Sequence, residues 1–259
     1  MKKDILSIAI LFLTVNFTFL IANDIQNKGY KIAIENQLYN NGYKTQFSNM
    51  EMVLINAHGD KVKREMLFQS KEIKGDGDKS LITFNYPADV KGTKILTWSH
   101  KVGSDDTWLL LPALNRVKRI NSRNKSSSFM GSEFTYEDIS SDEVEKYTFK
   151  FINDSELDGR SIWITERYPL DKNSGYSKKV IYVDKEYRQP LKIEYYDRKG
   201  ELLKTSLFSD FKQFGKWWYF HKIVMTNHQT QKSSELLWKD RELGRTFKSN
   251  LFTKQQLLR

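Results

Sequence analysis

From Phe47 to Lys239 the chain is cut by turn sequences into about a dozen short segments of β-strand composition. Met50 to Asn56 and Val62 to Ile73 flank His58-Gly59-Asp60 and read as a hairpin. In the second of these, Val62, Arg64, Met66 and Phe68 share one face. Gly75-Asp76-Gly77-Asp78 turns into Leu81 to Tyr86, which Pro87 ends, and Lys91-Gly92 turns into Thr93 to His100. Tyr147, Phe149 and Phe151 alternate with Thr148 and Lys150. Ser161 to Tyr168, Ser177 to Asp184, Leu191 to Asp197, Glu201 to Phe211, Trp217 to Asn227 and Thr230 to Lys239 follow at similar spacings. In Leu191 to Tyr195 the apolar positions alternate with Lys192 and Glu194, the pattern of an antiparallel strand with one dry and one wet face. Strands at this spacing form a meander, so the expectation is a mainly β chain built on one large curved antiparallel sheet or barrel. No linker, repeat or low-complexity tract interrupts the run, and residues 23–259 read as a single domain.

The N-terminus sets the compartment. Lys2 and Lys3 precede an apolar run from Ile5 to Ala22, the n-region and h-region of an export signal. Residues 1–22 are therefore read as a signal peptide, with cleavage after Ala22 or retention as an uncleaved anchor both open. The run is close to the roughly 18-residue lower limit for a membrane span. Asn23 to Asn41 reads as a helix, with Ile25, Ile32, Leu38 and Tyr39 near one face, Asn41-Gly42 as its stop and Gly29 as an imperfection. Phe134 to Ser141 reads as a second, short helix.

Charge and composition narrow the function. The formal net charge of +10 favours anionic partners, and export turns that preference toward an anionic membrane surface rather than nucleic acid. The absence of cysteine excludes disulfides, thiolate metal sites, a cysteine nucleophile and the lipid-modified cysteine of a bacterial lipoprotein. His58, His100, His221 and His228 show no metal-ligand spacing. Ser132, in Met-Gly-Ser-Glu-Phe, is not in a nucleophile elbow, and Gly75-x-Gly77 lacks the strand–turn–helix context of a phosphate loop. No cofactor, metal site or catalytic constellation is expected, and the chain is read as a non-enzyme.

Apolar, cationic and anionic groups crowd into residues 106–138. Asp106-Thr-Trp-Leu-Leu-Leu-Pro-Ala-Leu-Asn-Arg-Val-Lys-Arg-Ile120 is followed by Ser128-Phe-Met-Gly-Ser-Glu-Phe-Thr-Tyr-Glu-Asp138. This segment resembles the hallmark of the LolA-like outer membrane lipoprotein-sorting proteins. Gly77-Asp-Lys-Ser-Leu81, Pro87-Ala-Asp-Val-Lys-Gly-Thr93, Pro169-Leu-Asp171, Ser174-Gly-Tyr-Ser177 and Asn227-His-Gln-Thr230 extend the likeness over nearly all of the chain after residue 22. The resemblance implies a periplasmic protein of Gram-negative bacteria with a LolA/LolB-like fold: an incomplete antiparallel β-barrel around a few short helices, enclosing an apolar cavity. In LolA and LolB that cavity receives lipoprotein acyl chains. Members of this branch are associated with inner-membrane exporters of the RND/MMPL type. LolA itself is shorter, and its functional arginine and lid have no matching positions here.

An acyl carrier needs a dry concave wall of long apolar side chains. Met66, Phe68, Trp98, Trp108, Leu109, Leu111, Phe129, Met130, Phe134 and Tyr136 are the ligand-binding candidates, with Met52, Leu54, Leu96, Phe149 and Phe151 as further lining. The same periodicity fits a filled core equally well. Arg116 and Arg119 either hold a phosphate or carboxylate at the mouth or pair with Glu133, Glu137 or Asp138 and pin the loop 121–138. Phe129-Met130-Gly131 reads as a flap or as a plain loop-to-helix connection. Two functions follow: a periplasmic carrier of lipid or lipoprotein acyl chains delivering toward the outer membrane or an exporter, or a non-carrier accessory protein docked on an RND/MMPL-type exporter.

Overall fold

The computed structural model describes residues 24–258, so the expected signal at 1–22 lies outside the described residues. Helix α1 spans residues 24–40. Six strands follow in a meander: β1 (Thr45–Ile55), β2 (Lys61–Lys71), β3 (Lys79–Tyr86), β4 (Lys94–Trp98), β5 (Asp106–Leu111) and β6 (Arg116–Ile120). A long connection containing α2 (Tyr136–Ile139) leads to β7 (Tyr147–Leu157), β8 (Arg160–Pro169), β9 (Tyr176–Asp184), β10 (Pro190–Asp197) and β11 (Leu202–Ser209). A small hairpin, β12 (Lys212–Phe214) and β13 (Trp217–Tyr219), precedes β14 (Lys222–Asn227), β15 (Lys232–Leu243) and α3 (Lys254–Leu257).

Thirteen of the strands form one antiparallel sheet in the order β6-β5-β4-β3-β2-β1-β15-β14-β11-β10-β9-β8-β7. Strand β1 is the seam, paired to β2 on one side and to β15 on the other. The sheet curves but does not close, and β6 and β7 remain as its two edges. The expected incomplete barrel is therefore present as an open half-barrel. Unpaired strand edges are a liability that proteins usually cover. Here the connection 121–146 runs from one edge to the other across the concave face, and α1 lies against the other edge. Gly29 permits that contact, since a Cβ there would sit 2.8 Å from the Lys150 carbonyl carbon and the Phe151 nitrogen on β7. The glycine that weakens the helix pattern is what lets the helix touch the strand backbone.

Alternation along the strands divides the apolar residues between the two faces. Cross-strand rows such as Phe68–Ile82–Ile95–Leu109 point inward, into the main core with Met52, Phe84, Phe129 and Phe134. The opposite row, Leu81–Leu96–Trp108, points out of the half-barrel. It is not wet, because the C-terminal strap after β15 folds back over it. Phe252 and Leu257 complete a second core with Leu81, Leu96, Trp108 and Leu110. The Trp98 indole Nε1 donates to the Phe252 carbonyl at 2.9 Å, which fixes the strap's register.

Two sequence expectations need correction. The single strand expected over 217–227 is broken at Phe220-His221 into β13 and β14, where the His221 backbone N–H leaves the ladder for the Ser209 and Asp210 carbonyls. The apolar face assigned to α1 holds only in part. Ile32 is buried, but Leu38 is exposed, while Ala33, Asn36, Gln37 and Asn40 face the interior. An amide-rich inner face carries little hydrophobic periodicity, so apolar pattern alone locates only part of it.

The strap supplies a test. Phe252→Ala should cost about 3–4 kcal/mol in urea unfolding by leaving a cavity over Trp108, with a red shift in tryptophan emission as that indole is wetted. Unchanged stability and emission would show that the strap is a passive tail.

Candidate functional site

The inner row nearest one end of the half-barrel is polar. In register across β7, β8, β9, β10, β11 and β14 it reads Phe149, Arg167, Lys179, Tyr195, Lys204 and Asn227. Lysines 179 and 204 are only 4% and 2% exposed, which requires partners for both charges. The crossing connection supplies them. The Glu133 carboxylate accepts from Asn227 Nδ2 at 2.7 Å, and Asp138 from Lys204 Nζ at 2.6 Å. Asp142 accepts from Arg167 Nη1 at 2.5 Å and lies 3.6 Å from Lys179 Nζ. Three carboxylates on one segment thus meet a row of donors on the sheet.

Local structure holds these acids in place. Thr135 and Asp138 form a reciprocal capping box at the start of α2. The Tyr176 hydroxyl donates to Asp138 at 2.8 Å, and Lys204 also donates to the Glu133 carbonyl at 2.8 Å. Burial by itself would raise the Asp138 and Asp142 carboxyls. For Asp138 the Lys204 and Lys179 charges outweigh burial, for Asp142 Lys179 and Arg167 do, and both groups lie below the ordinary carboxylate range. Glu137 points the other way and accepts from the Ser174 hydroxyl at 2.6 Å and the Gly175 N–H at 3.0 Å.

Above this polar row the concave face is apolar, and it encloses a cavity of about 420 Å³ between sheet, connection and helix. That volume lies within the ~300–1,000 Å³ typical of small-molecule sites. Met50, Met66, Phe68, Ile82, Ile181, Val183, Ile193, Ile223, Leu236 and Trp238 form the sheet wall. Phe129, Phe134 and Ile139 form the wall contributed by the connection, and Ala33, Asn36, Gln37 and Asn40 the wall contributed by α1. Phe208, Phe220 and Trp238 are half-buried and packed edge-to-face, with centroids 4.9 and 5.3 Å apart. Two other clefts, of about 380 and 770 Å³, carry many charged and polar groups, such as Lys101, Asp105 and Lys146 or Lys44, Glu72 and Asp78; Val102, Ile120, Pro169 and Leu170 also line the first.

The residues singled out in the sequence separate into groups. Met66, Phe68, Phe129 and Phe134 lie on the cavity wall. Leu109, Leu111, Met130 and Tyr136 pack in the same core without reaching the cavity, as do Met52 and Leu54. Trp98, Trp108 and Leu96 are on the opposite face under the C-terminal strap. Phe149 packs with Ala33 and Val144 beneath α1, and Lys28 Nζ lies 3.5 Å over the Phe151 ring. Arg116 and Arg119 are exposed on edge strand β6, away from the cavity. Arg119 pairs with Asp106, while Glu133, Glu137 and Asp138 take partners from other elements, so neither arginine pins the connection. Phe129 is 1% exposed, a wall of the cavity rather than an outer flap, and the chain turns beneath it through positive φ at Met130 and Gly131. The sheet residues Ile181, Val183, Ile193, Ile223 and Leu236 went unnoticed, although their alternation was readable. The inward turn of Lys179 and Lys204 had no signal beyond strand phase. Among the described residues no group of three or more His, Asp or Glu side chains is placed to hold a metal ion.

Comparison with known proteins places this geometry. A family described as "uncharacterized protein" matches residues 76–259. A domain described as an outer membrane lipoprotein-sorting protein, from Vibrio parahaemolyticus, is 49% identical, with a TM-score of 0.88 over 90% of this chain and 100% of that one. A DUF1329 family protein from Desulfovibrio piger is 29% identical, with a TM-score of 0.86 over 90% of this chain and 99% of the other. A LolA superfamily protein from Nitrosomonas europaea shares the fold at 21% identity, with a TM-score of 0.67 over 90% of this chain and 98% of that chain. No protein of curated function matches the chain. The chain belongs to the LolA-like outer membrane lipoprotein-sorting protein family.

Glu143, next to Asp142 on the connection, gives a pH prediction. Its carboxyl is pushed up to about 7, chiefly by burial and secondly by the Asp78 charge, and it accepts from Gln37 on α1 at 3.0 Å. The folded value is above the ordinary 4.5. Its contribution to stability is therefore complete below about pH 4.5 and lost as pH rises through about 7. Glu143→Gln should raise stability at pH 8 by roughly 1–3 kcal/mol relative to wild type and by little at pH 5. Parallel melting curves at the two pH values check this, and equal effects at both would refute it.

Proposed function

We propose that this protein is a periplasmic carrier that takes an acyl chain of a lipid or lipoprotein into the cavity beneath the 121–146 connection. It then passes the chain toward the outer membrane or an exporter. The observation that supports this most is a mostly apolar cavity of about 420 Å³ inside a half-barrel of the lipoprotein-sorting family. Each methylene moved from water into such a site contributes about 0.8 kcal/mol. Met50 and Met66 in the wall adapt to irregular cargo. The LolA-like fold is a binding fold, and the residues lining the cavity contain no nucleophile–base pair. The N-terminal segment is read as the export signal, and no described helix is long and apolar enough to cross a membrane.

The alternative, an accessory protein that docks on an RND/MMPL-type exporter and carries nothing, calls for a filled interior. It draws no support from the cavity. An exporter remains compatible with the carrier reading as donor or acceptor, and the net charge of +10 suits work beside an anionic membrane.

Mass spectrometry of the protein purified from the periplasm should show co-purifying acyl lipid. Ile181→Trp with Ile223→Trp would fill the cavity at a stability cost of about 1–3 kcal/mol and should remove most of that lipid. Lipid-free wild-type protein that also fails to take up acyl chains in vitro would defeat the proposal.

A further inference from the structure

The cavity is not uniformly apolar. Three ionisable donors, Arg167, Lys179 and Arg188, line it together with Glu137, Asp138 and Asp142. Glu137 is answered by Lys125 at 3.7 Å and Asp138 by Lys204. Asp142 faces both Arg167 and Lys179. Arg188 lies 3.8 Å from the carboxylate of Glu35, which is exposed.

Several of these polar groups also lack hydrogen-bond partners. Arg167 Nε and Arg188 Nη1 are buried donors without acceptors, and Asn36 on α1 has a buried, unpartnered Oδ1. Buried donors left without acceptors are destabilising, so their grouping on one cavity calls for an explanation. Each guanidinium is held from another direction. Arg188 lies over the Trp163 ring at 4.6 Å, and Arg167 is fixed by Asp142 and by Phe149 at 5.6 Å. Stacking and pairing of this kind pre-orient a planar fork for an oxyanion.

On the carrier reading above, we infer that the cargo is an amphiphile with an acyl chain and an anionic head. The head's carboxylate or phosphate oxygens are received by Arg188 and Arg167 beneath α1. The cavity of about 420 Å³ lies within the range of small-molecule sites. Asn36 Oδ1 would accept a hydrogen bond from a hydroxyl of a glycerol-type head.

Delipidated full-length protein can be titrated with palmitate, 1-palmitoyl-lysophosphatidate and uncharged hexadecanol, each below its aggregation concentration, by displacement of a fluorescent fatty-chain probe. The wild-type protein should prefer at least one charged ligand over hexadecanol by about tenfold or more. The tighter of the two then identifies the head group as carboxylate or phosphate. Arg188→Gln should reduce the charged-to-uncharged ratio to within about threefold, and Arg188→Lys should restore part of it. Equal wild-type affinity for all three ligands would overturn the head-group subsite while leaving the carrier reading intact. Failure of all three to displace the probe would remove both. The wild-type comparison decides the matter even if a variant does not fold.

Discussion

The charge pairs between the crossing connection and the sheet are what the remainder of the molecule depends on. Asp138 with Lys204, both buried, and the more exposed Asp142 with Arg167 and Lys179, hold an otherwise irregular segment across the concave face of an open sheet. Losing one partner of the Asp138–Lys204 pair strands a buried charge at a cost of about 3–5 kcal/mol, even though the intact pair adds little net stability over apolar packing. Their value is therefore positional. They set where the connection lies, and with it the position of Phe129, Phe134 and Ile139, three side chains that form the cavity's inner wall.

An open half-barrel explains why the cavity exists. A closed barrel of small diameter fills itself with its own side chains. This sheet stops at β6 and β7, and a segment held at a polar row roofs the space between them. The apolar rows beyond that row have no partner close enough to fill the volume. The C-terminal strap performs a separate task on the other face, where it keeps Leu96 and Trp108 dry.

The cavity's chemistry is thus divided between two kinds of wall. The sheet offers Met, Ile and Leu, suited to a chain of methylenes. The helix and the β8–β10 region offer amides and guanidinium groups, of which Arg167 and Arg188 retain unmade hydrogen bonds. A wholly apolar pocket would bind any chain of the right length. A pocket whose guanidinium groups keep unmade hydrogen bonds discriminates by head group, because a neutral ligand leaves those donors unsatisfied.

Much of the fold is determined by the sequence alone. Strand alternation and turn residues at Gly59, Gly77, Gly92, Gly159 and Gly200 specify a long antiparallel meander, and the 106–138 segment specifies the family. These signals are local: a period of two and a turn residue are complete within a few positions. The cavity was only partly legible. Met66, Phe68, Phe129 and Phe134 follow from strand phase and from the motif, yet Trp98 and Trp108 share that aromatic character and lie on the opposite face. Only the return of the C-terminal strap, some 140 residues later in the chain, decides which apolar face is interior and which is a second core. Likewise Lys179 and Lys204 look like ordinary solvated strand lysines until Asp142 and Asp138 arrive from a distant loop. Local pattern determines which residues share a face. What covers that face, and whether a charge on it is paired, depends on long-range contacts that the tertiary structure alone supplies.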